Sequence, residues 1–141
     1  MGKINVGRLI LGGIVAGIAI DLLDYFVDGI WLAPSWDNGM ALLGRTALSP
    51  VQIIWFNVIG FLTGIVAVWI YVAIRPRFGP GVKTAICAGL AVWILAVLFP
   101  NISFMCIAKL FSNQLTMYTT LGGLVEVVIG TVAGASVYRE T

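Results

Sequence analysis

Three aspartates, Asp21, Asp24 and Asp28, recur at intervals of three and four residues in a stretch that is otherwise apolar. That spacing stacks their carboxyls along one side of a helix. A fourth acid, Glu126, stands alone within a second apolar stretch, Leu115–Tyr138. An ionisable group at membrane depth costs at least ~2.5 kcal/mol on insertion scales, so it is a functional candidate by default. Asp21, Asp24 and Glu126 are therefore the candidates for binding a proton or a cation. Asp28, Asn57, Thr63 and Asn101 are the polar residues that would line a cavity around them. Three states are open to the acids. They are protonated, they hold a cation or a proton in transit, or a basic group from another chain, a cofactor or a cationic ligand completes them.

Other chemistries drop out early. The chain has no histidine, which excludes imidazole bases, catalytic triads and histidine-built metal sites. No metal-ligand motif, Gly-rich phosphate loop or helical basic stripe is present in the linear spacing, so no metal, cofactor or nucleic acid is assigned. Cys87 and Cys106 lie 19 residues apart on one expected helix, about 28 Å of rise, too far to bridge. They read as two small core residues.

The elements that hold the acids follow from composition. Of 141 residues, 60% are apolar and 10% charged, with a net charge of +2. An ordinary soluble domain has roughly 25% charged residues. A bilayer core needs about 20 apolar residues of helix. Segments 9–32, 51–74, 84–108 and 115–138 meet that requirement, giving an all-α membrane protein: one four-helix transmembrane domain over 1–141. Residues 9–20 also have the make-up of a signal-peptide core, and the segment is read as a first span. Trp36–Leu43 reads as a short interfacial helix, with Asp37 in its first turn and Gly44 at its end. The run Arg75-Pro76-Arg77-Phe78-Gly79-Pro80-Gly81 reads as a break that folds spans two and three into a tight hairpin. Pro100 should kink span three and free a carbonyl near Ala96.

Depth and face can be read together. Asp21 lies 13 residues past Arg8, and Glu126 lies 13 residues before Arg139, so both sit about 20 Å from one surface. Gly13, Gly17 and Asp21 repeat every fourth residue, as do Glu126, Gly130 and Gly134, while span two adds Gly60 and Gly64. Small residues at that spacing make helix-packing seams. The expected outcome is an antiparallel contact of spans one and four, Gly13 level with Gly134 and Gly17 with Gly130, bringing Asp21 to Glu126. Lys3, Arg8, Arg75, Arg77, Lys83 and Arg139 fall on one side against Arg45 and Lys109 on the other, which places both termini in the cytoplasm. Trp31, Trp36, Trp55 and Tyr118 form the outer aromatic belt and Trp69, Tyr71 and Tyr138 the inner one. Trp93, deep in span three, is a packing residue.

Leu11-Gly12-Gly13-Ile14-Val15-Ala16-Gly17, the Trp36…Met40-Ala41 pair, and Ala73-Ile74-Arg75-Pro76-Arg77-Phe78-Gly79-Pro80-Gly81-x-Lys83-Thr84-Ala85 with Ala88-Gly89-Leu90-Ala91-Val92-Trp93 carry a resemblance. The chain resembles a family of small, uncharacterised bacterial four-span integral membrane proteins. The resemblance implies a bacterial inner-membrane setting and no particular activity. In size the chain is also similar to small multidrug transporters, in architecture alone. The first functional expectation is a non-enzymatic membrane subunit, self-associating or docked on other membrane subunits in the lipid bilayer. The second is a proton- or cation-coupled transporter or channel using Asp21 and Glu126. An enzyme acting on lipid or quinone comes last.

Overall fold

Apolar runs of about 20 residues satisfy their backbone within lipid by winding into helices, which bond every amide inside the segment. The computed structural model describes residues 4–46 and 48–140, and Lys3, counted above among the inner charges, lies outside them. The order is α1 (Val6–Phe26), a π turn (Val27–Trp31), α2 (Ala33–Leu42), α3 (Pro50–Phe78), α4 (Val82–Trp93), a π turn (Ile94–Leu98), α5 (Phe99–Ser103), a further π turn (Phe104–Ala108) and α6 (Asn113–Val137). Among the described residues there is no strand. Four continuous helical rods, Val6–Trp31, Pro50–Phe78, Val82–Ala108 and Asn113–Val137, are long and apolar enough to cross a membrane. This is an all-α four-helix membrane fold.

Side-chain caps define several ends. Asn5 accepts from the Arg8 N–H, Ser112 accepts from Leu115, and Ser49 with Gln52 forms a reciprocal capping box that starts α3. The run beginning at Arg75 departs from expectation. The helix does not stop there but continues through Pro76 to Phe78, and Gly79, at φ 82°, ends it. A proline this close to a C-terminus removes one N–H bond without breaking the remaining turn. Only Gly79–Gly81 makes the hairpin. The Pro100 distortion is also resolved locally: a π turn at Ile94–Leu98, around Ala96, precedes the proline. The interfacial helix begins earlier than expected, at Ala33, so Asp37 lies mid-helix and exposed.

In the bundle, α1 packs on α3 and α6, and α4 packs on α6 and α3. The α1–α6 contact is antiparallel, in the expected register to within one residue, but a different face of α1 makes it. Gly12, not Gly13, meets Gly134, where the Gly12 carbonyl occupies the space of a missing side chain. Ala16, not Gly17, lies against Gly130, with its carbonyl 2.9 Å from where a methyl there would sit. Gly13 and Gly17 instead receive Ile65 and Phe61 of α3, and Gly64 fits between them against the Gly17 N–H. A helix turns 100° per residue, so adjacent positions 12 and 13 serve two different neighbours. The core of Ala16, Val68, Tyr71, Ala85, Ala88 and Tyr138 fills the inner half.

That inner end is tied by polar contacts. Tyr71 and Tyr138, expected in an interfacial belt, are buried and meet edge-to-face at 6.4 Å. The Tyr138 hydroxyl accepts from Asn5 N–H and the Tyr71 hydroxyl from Gly81 N–H. Arg75 lies 5.4 Å over the Tyr138 ring and 3.2 Å from Glu140, the one ion pair among the described residues. The outer half is looser. Every residue from Val51 to Ile59 of α3 is exposed, and so is Cys106; Cys87, near the start of α4 at the other end, is exposed as well, so neither cysteine is a core residue.

Candidate functional site: three carboxyls between α1 and α6

The helical repeat sends the α1 acids two ways. Asp21 follows Gly13 and Gly17 onto the α3 face, and its carboxyl occupies the space over Gly60 that any other residue would fill with Cβ. Its Oδ2 is buried without a hydrogen-bond partner. Asp24 follows Gly12, Ala16 and Ile20 onto the α6 face. The expected meeting of Asp21 with Glu126 is therefore replaced. One carboxyl oxygen each of Asp24, Asp28 and Glu126 lies within 4.8 Å of the others. Depth arithmetic put Glu126 at the right level, but the neighbour on the facing side of α1 is three residues further along.

Each member of this cluster is held differently. Glu126 is 5% exposed, and its Oε1 is buried with no partner. Gly122, one turn away on α6, leaves the room that Val27 and this oxygen share. The π turn at Val27–Trp31 carries Asp28, whose Oδ1 accepts a 2.7 Å bond from the Trp36 indole of α2. Trp36 in turn stacks edge-on against Phe111 at 5.0 Å, so α2 lies over the outer end of α1 and against the link before α6. Asp24 and Asp28 are half-buried. No lysine or arginine among the described residues pairs with any of the four acids.

A polar pocket of about 190 Å³ lies one helical turn further out. Leu32, Ser35, Ser112, Gln114 and Tyr118 contribute to its wall. Leu32 is four residues beyond Asp28, and Tyr118 is four residues before Gly122, so the pocket lies about one turn from the cluster toward the same end of the bundle, and none of the three carboxyls lines it. Inward, the Gly12–Gly134 and Gly13–Gly17–Gly64 contacts close the bundle backbone to backbone.

Of the four expected cavity residues Asp28 joins the acids, and Asn57, Thr63 and Asn101 do not. Asn57 is exposed and bonds back to the Ile53 carbonyl, and Thr63 bonds back to that of Ile59, so both are satisfied by their own helix. Asn101 donates to Thr120 Oγ1 at 2.8 Å and faces an open cleft of about 480 Å³ between the third rod and α6. Trp93 does more than pack, since its indole donates to the Thr120 carbonyl at 2.9 Å. The part played by Trp36 went unread because a tryptophan in an expected interfacial helix is accounted for by the membrane surface alone. No family model, no curated protein and no solved structure matches this chain.

Proposed function

We propose that this chain is a small, non-enzymatic, proton- or cation-coupled membrane transporter, set in a bacterial inner membrane with both termini cytoplasmic. The single observation that carries the reading is Glu126: a carboxyl buried between helices, its Oε1 unpartnered, near two further carboxyls with no basic group among the described residues paired to them. Unpaired acids inside a bundle are expensive and persist where an ion or proton visits them. The polar pocket offers an approach from the outer side, and the glycine seams close the inner half. That combination supports an outward-loading state in which Asp21, about level with Glu126 but on the α3 face, is a further carboxyl beside the cluster.

The test is flux. Proteoliposomes of the wild-type chain should show proton- or cation-coupled movement that Glu126→Gln and Asp24→Asn each abolish while helicity is retained. Absence of flux from the wild type, or flux unchanged in both variants, removes the reading.

A second reading, a self-associating or accessory subunit, draws on a separate observation. The outer two and a half turns of α3, Val51–Ile59, are exposed on every side, and the cleft beside Asn101 and Thr120 is open. A second copy or another membrane subunit would cover such surfaces. The mass of the assembly released in mild detergent distinguishes the two: a fixed stoichiometry above one supports association, and a monodisperse single chain removes it.

A further inference from the structure

Taking the proposed cation-handling role as its starting point, the cluster can be asked which ion it fits. Its donors are all carboxyl oxygens. The chain offers no imidazole, and neither cysteine belongs to the cluster. Oxygen-only sets select hard cations over the thiolate- and imidazole-seeking metals. Size narrows this further. Two ligands on opposite sides of an ion bound at 2.3–2.6 Å lie roughly 4.6–5.2 Å apart. One oxygen each of Asp24, Asp28 and Glu126 falls within 4.8 Å of the others, so the three are close enough to be drawn onto one ion by small side-chain adjustments.

Charge points the same way. Three ionised carboxylates carry −3, and no basic side chain among the described residues offsets them. A monovalent ion would leave −2 between apolar helices, whereas a divalent ion leaves −1. The independent sign of a ligand is Glu126 itself, 5% exposed with Oε1 unpartnered over Gly122. Trp36 fixes Asp28 from outside the cluster, as a supporting donor orients a metal-ligating carboxylate. We propose that Asp24, Asp28 and Glu126 form a binding site for one hard divalent cation of the Ca²⁺, Mn²⁺ or Mg²⁺ type, entered from the pocket beneath α2. The remaining coordination positions are left to water, and the shorter bonds of Mg²⁺ would require the three carboxylates to draw together.

The experiment uses the full chain in lipid nanodiscs after chelator treatment, titrated with MnCl₂ and followed by the paramagnetic resonance of free Mn²⁺. CaCl₂ and MgCl₂ serve as competitors. One saturable site per chain is expected, weakened at least about tenfold by Glu126→Gln and by Asp24→Asn. Asp37→Asn, which removes an exposed acid of α2 outside the cluster, should leave it unchanged. If Glu126→Gln does not fold, Asp28→Asn at the half-buried edge gives the same reading. No saturable Mn²⁺ binding to the wild type overturns the proposal, and so does binding that the cluster variants and Asp37→Asn alter equally. The two readings separate cleanly. Mn²⁺ bound at the cluster without flux defeats transport alone, while proton flux that survives chelation with no Mn²⁺ bound defeats the metal site alone.

Discussion

At the scale of single residues, the outcome turns on which way a side chain, or its absence, faces. Gly64 shows how sharply. A methyl there would meet the Gly17 N–H, lie 2.7 Å from the Gly13 carbonyl and 2.9 Å from Gly17 Cα, all backbone atoms that cannot turn aside. Gly64→Ala should therefore cost about 1–3 kcal/mol through forced separation of α1 and α3. Gly7→Ala is the contrast: exposed on α1, with only the Oδ1 of its own N-cap Asn5 nearby at 3.6 Å, it should hold or gain about 0.5–1 kcal/mol. Unfolding curves of the two variants in detergent test this, and equal stabilities would refute the seam. The seam glycines were legible in the sequence as a four-residue repeat. The partner of each was not, because a repeat gives spacing along a helix and leaves its rotation open. That is why Gly13 and Gly17 were assigned to α6, and why Asp21 was paired with Glu126 in place of Asp24. Asn57 and Thr63 were misread for a related reason: a polar side chain on a membrane helix can satisfy itself on its own backbone, and no linear pattern distinguishes this from a cavity wall.

Elements were read more securely than residues, since length and hydropathy act over twenty positions at once. All four rods lie within a few residues of the expected spans, and the differences fall where backbone chemistry competes with composition. Pro76 was weighted as a breaker although it sits two residues before the helix end, and the three π turns have no sequence mark apart from Pro100. The third rod is the least anchored of the four. Its outer half is held to α6 by Trp93 and Asn101, both bonded to Thr120, across an otherwise open cleft. Trp93→Phe keeps the ring and removes the donor. It should lower stability by about 0.5–1.5 kcal/mol. Hydrogen exchange gives the sharper reading: amides in the π turn at Ile94–Leu98 should exchange faster while those of α1 and the inner half of α3 hold their protection. Uniform protection across the third rod would mean that apolar contacts alone retain it.

Across the whole molecule, the two ends differ in both charge and packing. Arg8, Arg75, Arg77, Lys83 and Arg139 stand at the end where α1 begins, α3 ends, α4 begins and α6 ends; Arg45 and Lys109 stand at the other. The basic end is also the closed one, tied by the Tyr71–Tyr138 contact and the Arg75–Glu140 pair, while the acid cluster and the polar pocket lie toward the opposite end. Charge bias of this kind sets orientation through the flanks of short loops. The orientation proposed above, with the closed end in the cytoplasm and the carboxyls toward the outer side, follows from that bias. A fluorescent protein fused after Thr141 should therefore mature and fluoresce, and a phosphatase inserted at Gly44 should be active outside the cell. The inverse result would reverse the polarity of the mechanism as well as the map. The cluster would then draw its cation from the cytoplasm, and the glycine seams would seal the external face. Reducing the basic end with Arg75→Gln and Arg77→Gln tests the cause, because the bias would fall from six against two to four against two, leaving Lys3, Arg8, Lys83 and Arg139 against Arg45 and Lys109. A mixed population of orientations should follow if charge bias governs insertion, and an unchanged single orientation would show that the order of the hydrophobic segments is enough.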